Sequence, residues 1–390
     1  MIVKRGKHAY QYQSSQVNGE VKTVSQGTVS TQELQEYEQQ QEALHRQRER
    51  EQDLAQRQPS VHHALPLAGM IGAHGLSEDT QVLTAEGWQG IDEVDRGTRL
   101  ATFNPATGAI AYSPAVQKFV YAYAGAMYQM ASSCADHLVT PHHTMLYESY
   151  GTWKARRAEA FFVKGAHVPV SGVRLHDDFP LYKHDDELRF HVWCVTDGSV
   201  EYVRKTDGDV QYRFSFTKKR KIERLMQLLE RLGYAYALRT DKGGVTRIRV
   251  PHIHPKFTKV LTEHHRQLSP RQVKIFLLQW SHTDGSYASS RTEHHFQLCT
   301  NVPFHRDLLQ ELAAVSGHKT TCATAEKDGY DNVYLLHIRL DTDRVRCDRM
   351  NKGTVAYTGR VWCPDVALYH TVITRRNGKV FMSKTSNEKE

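Results

Sequence analysis

The 390-residue chain reads as a multidomain protein: an all-β domain interrupted by an α/β domain, with a β-hairpin and a polar helix ahead of both. Three observations predict this. Short β-type segments broken by Gly, Asn-Pro and Asp turns fill residues 75–180 and return over 345–387. The stretch between them, 185–340, holds two copies of one helix–strand–helix–strand unit. Residues 1–60 are set apart by their Gln, Glu and Arg content. A β text that stops, yields to a repeat and then resumes is the pattern of one domain inserted in another.

Each element has a local reason. His8–Tyr12 and Glu20–Val24 flank Asn18-Gly19, a pair that tolerates the positive φ of a tight turn, and predict a hairpin. Ser30 with Glu33 reads as a capping box opening a solvated helix that runs to Arg57. Its apolar positions are too sparse for a sustained heptad seam, so an exposed helix is preferred over a coiled coil. Residues 61–74 read as a linker. In the β domain, strands are expected at Gln81–Thr84, Gly87–Gln89, Thr98–Phe103, Ala115–Tyr123 and His137–Val139. The first repeat runs from Phe190 to Ser199, then strand Val210–Phe216, helix Lys218–Leu232 and strand Val245–Val250. The second runs from Phe276 to Ser286, then strand His295–Thr300, helix Phe304–Val315 and strand Val333–Leu340. A second Asn-Gly pair, Asn377-Gly378, predicts a closing hairpin.

Composition narrows the function classes. Apolar residues make up 39% of the chain and the mean hydropathy is −0.58, and no run approaches the roughly 20 apolar residues of a membrane-spanning helix. No membrane association is expected, and the N-terminal residues carry no secretory signature, so residence in the cytoplasm is the expectation. Six scattered cysteines lack zinc-type pairing and read as reduced thiols. A formal net charge of +8 favours an anionic partner. The histidines at 62–63, 252 and 254, 264–265 and 294–295 complete no ligand spacing and are assigned to surface or loops.

Gly75-Leu76-Ser77-Glu78-Asp79-Thr80, followed by Gly87-Trp88, resembles the opening block of inteins and related Hint-fold autoprocessing domains. Thr140-Pro141-His142-His143 resembles their second block; Arg360–Cys363, His370 and Thr385-Ser386-Asn387 resemble the two closing ones. The four matches fall in family order and bracket the insertion. Residue 75 is Gly where these domains usually have Cys or Ser. The resemblance therefore narrows to the class that lacks the first nucleophile and uses an internal Cys two residues after a Val, as in Val361-Trp362-Cys363. That implies attack of the Cys363 thiolate on the carbonyl of residue 74, with His143 protonating the leaving nitrogen and Thr140 orienting the peptide. His370 assists cyclisation of Asn387, and Thr385 completes the set; no cofactor is implied. Two departures are visible. Met145 stands where that class carries Trp, and Glu388 where splicing requires Ser, Thr or Cys, so cleavage is expected ahead of ligation. Residues 1–74 are then an upstream host segment and 388–390 a residual flank.

Val195–Ser199 and His282–Ser286 each close an apolar helical stretch and resemble the paired motifs of LAGLIDADG homing endonucleases, the DOD type often embedded in inteins. The resemblance implies two motif helices side by side, a catalytic carboxylate from Asp197 and Asp284 at the foot of each, and Mg²⁺ held by both. It implies a monomer gripping double-stranded DNA. Contact candidates are Arg204, Lys205 and Arg213, the run Lys218, Lys219 and Arg220, and in the second copy Arg291 and His294. Bulkier residues, His191-Val192 and Leu278-Gln279, stand where the family's helix seam has small ones. Two other readings are a degenerate element that self-cleaves and binds DNA without cutting, and a DNA-binding regulator whose acids are structural.

Overall fold

The structure is a computed structural model. It describes residues 2–5, 8–17, 20–29, 74–161, 165–175, 180–202, 210–253, 257–287, 294–326, 329 and 331–385, which fall in two units, 1–64 and 65–390. The expected helix after Ser30 and the linker 61–73 lie outside the described residues.

In the first unit, strands Ile2–Arg5, His8–Val17 and Glu20–Val29 form an antiparallel sheet in chain order. Val17 pairs with Glu20 across Asn18-Gly19, as expected, but the strands run longer than the sequence suggested and a third joins them.

The β part of the second unit is held together by two long strands, Ala109–Ala131 and Asn351–Val366. They pair antiparallel from Asn351↔Ala131 to Val366↔Ala115. One precedes the insertion and the other follows it, so the ribbon closes the domain across the interruption. Strand Leu76–Ser77 adds to the second of them, with Val361 opposite Ser77 and Trp362 opposite Leu76. Leu76, Val82, Leu100, Val139, Met145, Trp362, Val372 and Phe381 share one core.

Among the described residues the insert has four α-helices: α1 (Asp185–Thr196), α2 (Lys219–Leu232), α3 (Pro270–Thr283) and α4 (Pro303–Ala314). Their limits follow local chemistry. Ser269 caps α3 by accepting from the Gln272 amide, with Pro270 in the first turn where no amide proton is needed. Gly233 ends α2 at φ +67°, a conformation costly for side-chain-bearing residues. Each copy contributes four strands, the first copy's as a sheet of their own and the second copy's as one end of a 14-stranded sheet. The first runs Ser199–Tyr202, Val210–Phe216, Thr246–Ile253, Ala237–Thr240, and the second Gly285–Tyr287, His295–Thr300, Val333–Arg339, Lys319–Ala325. The order is the same in both, which bears out the duplication. The sequence reading missed two strands in each copy. Ala237–Thr240 is exposed at every position, so it carries no alternation to read.

The inserted stretch is joined to the β domain rather than standing apart from it. Lys379 pairs with Thr321, so the second copy's sheet is continuous with the β domain, and the Cys322 amide donates to the Gly378 carbonyl at 2.7 Å. Ala314 and Val315, at the end of α4, pack with Leu83, Ala101, Ile373 and Met382 of the β domain. Helix α4 is buried on several sides and so is covered by both parts.

Candidate functional sites

The first site surrounds Gly75. Its amide donates to Thr140 Oγ1 at 2.9 Å, and the Thr140 amide donates back to the Gly75 carbonyl at 3.0 Å. A Cβ at residue 75 would stand 2.9 Å from Val361 Cβ, so the position is closed to any side chain unless the strand moves. Gly75 directly precedes the paired residues Leu76 and Ser77, whose partners are Trp362 and Val361, and Cys363 directly follows Trp362 in the neighbouring strand. Cys363 is buried. Met145, the departure in this block, sits in the same apolar core as Trp362.

His143 is buried, and its ring lies 6.3 Å from that of His74, centroid to centroid. Its Nε2 is 2.6 Å from Ser383 Oγ. Burial, with the rings of His137 and His74 nearby, pushes its pKa well below the usual value, so it is neutral. Thr385 donates from Oγ1 to Asp365 Oδ1 at 3.2 Å and from its amide to the His370 carbonyl at 2.9 Å. His370 Nδ1 is 3.5 Å from the same Asp365 oxygen. Burial raises the Asp365 carboxyl above its ordinary range. Thr140 thus bonds Gly75, His143 meets Ser383, and His370 and Thr385 share Asp365, two residues after Cys363 in its strand. Asn387 lies outside the described residues. Sequence reasoning missed Asp365, Ser383 and His137; an acid two residues after Cys363 was the available signal for the first.

The second site lies where α1 and α3 pack side by side. Leu188, Val192 and Val195 meet Val273, Phe276, Leu277 and Trp280, so the bulky seam is accommodated. Each helix ends on an aspartate, Asp197 or Asp284. The glycines that follow are needed for close approach: a Cβ on Gly198 would come within 2.8 Å of Cys194 backbone, and one on Gly285 within 2.6 Å of Ser281 and Gln297 backbone. Lys221 Nζ donates to both oxygens of Asp197, at 2.8 and 2.9 Å, and stands 3.8 Å from Asp284 Oδ1. Lys259 Nζ donates to the Thr196 carbonyl at 3.1 Å, and burial lowers its pKa against the pull of both aspartates. Burial and the neighbouring Asp197 raise the Asp284 carboxyl. The two carboxylates therefore converge on a single cation. A hard divalent ion that keeps several waters and takes one or two carboxylates fits this pair. Among the described residues no group of three or more His, Cys, Asp or Glu could hold a metal, so water and phosphate oxygens would supply the remaining ligands.

Several DNA-contact expectations change. Lys218, Lys219 and Arg220 are exposed at the start of α2, with Lys219 paired to Glu223 at 3.5 Å, whereas Lys221 turns inward to the aspartates. Arg213 lies on the outward sheet face, bound to Glu201 at 2.9 Å. His294 is exposed and lies 3.8 Å from Asp341. Arg204, Lys205 and Arg291 lie outside the described residues. Missed were Arg239, Arg247 and Arg249 on the first outward face, and Lys319, His337 and Arg339 on the second. Alternation of Arg247 and Arg249 with Ile248 and Val250 was the signal. His265, assigned to a loop surface, is buried instead: its Nδ1 accepts from the Thr262 amide at 3.1 Å, and Tyr182 and His191 lie beside it. No helix among the described residues is long and apolar enough to cross a membrane.

No protein-family model matches the chain. Ribonucleoside-diphosphate reductase subunit beta of Aquifex aeolicus is 23% identical over 333 residues, covering 76% of this chain and 48% of that protein. The chain thus spans about half the length of the curated relative it matches. Among solved structures, I-DmoI in complex with DNA and Mn aligns at TM-score 0.31 and 15% identity, covering 40% of this chain and 92% of that one. The N-terminal LAGLIDADG domain of DUF199/WhiA aligns at TM-score 0.30 and 14% identity, covering 41% and 78%. These likenesses are partial, and function has to be argued from the two sites themselves.

Proposed function

We propose that the chain is a self-processing element of the intein type carrying a LAGLIDADG-like, divalent-cation-dependent DNA endonuclease. The observation that carries the nuclease half is the convergence of Asp197 and Asp284 on one ammonium group at the ends of two packed helices. A divalent ion held there supplies charge neutralisation and an activated water for phosphodiester hydrolysis. Asp197 and Asp284 would hold it, with Lys221 and Lys259 displaced toward the negative phosphate. The outward arginines of the first sheet and the Lys319, His337 and Arg339 face of the second suit a phosphate backbone. The test is incubation with a randomised duplex library and Mg²⁺: cleaved products from the native chain, and none from Asp197→Asn, support the reading. The two hydrogen bonds from Lys221 Nζ to Asp197 favour a second reading, DNA binding without cutting, in which the lysine permanently takes the cation's place. Retention of duplex DNA with no cleavage in Mg²⁺ or Mn²⁺ selects it.

For the self-processing half, the support is that Cys363 directly follows Trp362, the partner of Leu76, one residue from Gly75 along the neighbouring strand, together with a residue 75 too confined for a nucleophile of its own. The Cys363 sulfur forms a bond to the residue 74 carbonyl carbon, the 74–75 C–N bond breaks, and the thiol proton ends on the departing amine. The 1–74 acyl group is then held as a thioester on Cys363; with no hydroxyl or thiol on Glu388 to take it over, water or an added thiol breaks the thioester, the Cys363 sulfur regains its proton and residues 1–74 leave as a fragment rather than being ligated. Mass spectrometry of the purified chain in thiol reductant, beside Cys363→Ala, tests this: fragmentation of the native chain alone supports it.

A further inference from the structure

We infer that Ser383, backed by His137, fixes the tautomer of His143 so that its Nδ1 carries the proton. The inference deepens the self-processing reading and rests on it. Ser383 Oγ stands 2.6 Å from His143 Nε2 and 3.3 Å from His137 Nε2, and all three residues are buried. Both Nδ1 atoms are buried and make no hydrogen bond. Burial keeps both rings neutral, His137 with its pKa pushed down to about 3.

Each neutral ring has one N–H and the hydroxyl has one O–H; the hydroxyl's other acceptor, the Lys384 carbonyl, stands at 3.5 Å, the longest of its contacts and at the limit of a hydrogen bond, so the hydroxyl hydrogen goes to one ring or the other and two directions of donation exist. In the first, His137 Nε2–H donates to Ser383 and Ser383 donates to His143 Nε2, leaving an unshared N–H on His143 Nδ1. In the second the chain reverses and the unshared N–H falls on His137 Nδ1. Two observations choose the first. O–H donors make shorter hydrogen bonds than N–H donors, which suits the 2.6 Å contact as the hydroxyl's own and the 3.3 Å contact as the one it accepts. His137 also stacks on Phe381 with ring centroids 4.4 Å apart, and an unmade N–H in an apolar setting costs about 1–3 kcal/mol. His143 stands instead against polar company: its amide donates to the Thr140 carbonyl, and its ring neighbours His74.

An Nδ1–H on His143 is a hydrogen-bond donor available to the nitrogen that leaves when the 74–75 bond breaks. His143 neither gains nor loses a proton overall, because the thiol of Cys363 supplies the one the amine keeps. Ser383 and His137 are thus positioning residues, acting through His143.

The test reads the tautomer directly. The full chain carrying Cys363→Ala, which stays uncleaved, is labelled with ¹⁵N-histidine, and the His143 signals are identified by their loss in His143→Gln. The expected result is a neutral ring protonated on Nδ1 that shifts toward the Nε2-protonated form in Ser383→Ala but not in Ser383→Thr. With Cys363 restored, Ser383→Ala should slow 74–75 cleavage on the order of 10- to 100-fold, with Ser383→Thr recovering most of it. A His143 ring protonated on Nε2, or doubly protonated at neutral pH, overturns the inference. Because the ¹⁵N signals need no turnover, a native chain that never cleaves would sink the self-processing reading while leaving the tautomer legible. Should Ser383→Ala fail to fold, the ring in the Cys363→Ala chain decides alone.

Discussion

The pocket around Gly75 and the aspartate pair between α1 and α3 treat charge in opposite ways. In the first, burial keeps His137 and His143 neutral. In the second, Lys221 is 12% and Asp197 16% exposed by side chain while Asp284 is 43% exposed, so opposite charges stay paired at the edge of solvent. A dry neutral pocket suits acyl transfer from an amide that carries no charge. A half-open pair of carboxylates with movable ammonium groups suits a polyanion and its counter-ions. The difference teaches that two parts of one fold can share a core and still hold their polar groups in opposite charge states.

The comparison breaks first at its nucleophile. Cys363→Ala should abolish fragment formation, a loss on the order of 10³-fold or more followed by mass spectrometry, and leave DNA retention unchanged. Asp197→Asn or Asp284→Asn should cut Mg²⁺-dependent cleavage by about 10²-fold or more on gels without altering fragmentation. A variant of either kind that disables both activities would mean the sites are not independent. Leu309→Ala, in the middle of α4, should cost about 2–5 kcal/mol of stability in denaturant titration, since Leu309 is fully buried. A smaller effect sharpens the electrostatic side. His137 and His191, both with pKa pushed down to about 3 by burial, bind a proton in the unfolded chain below pH about 6.5 but not in the fold. Stability should therefore fall as the pH drops from about 6.5 toward 3, by about 1.4 kcal/mol per pH unit for each such ring. His191→Gln should reduce that slope in thermal melts across the same window.

The duplicated unit was legible because its two copies repeat apolar spacing and an Asp-Gly pair in one order, and the structure places strands Val210–Phe216 and His295–Thr300 where periodicity put them. The sequence could single out Asp197, Asp284, His143 and Cys363 only as residue types in ordered blocks. What the sequence could not display was convergence. Lys221 is the last of four consecutive basic residues, and only the phase of α2 turns it toward the aspartates while its three neighbours face water. Ser383 reaches His143 across 240 positions, and Arg375 reaches Asp307 of α4, joining the two domains, across 68. Neither pairing leaves a periodic trace. The shared core was hidden for the same reason: α4 is apolar on more than one face, which linear text does not distinguish from a fully buried helix in a domain of its own.

The most direct test of the account is the randomised-duplex assay run on three proteins side by side. The account predicts a recurrent cleavage sequence in Mg²⁺ for the native chain and for Cys363→Ala, and none for Asp284→Asn. Equal cutting by Asp284→Asn, or a native chain that cuts no sequence in either Mg²⁺ or Mn²⁺, would contradict it.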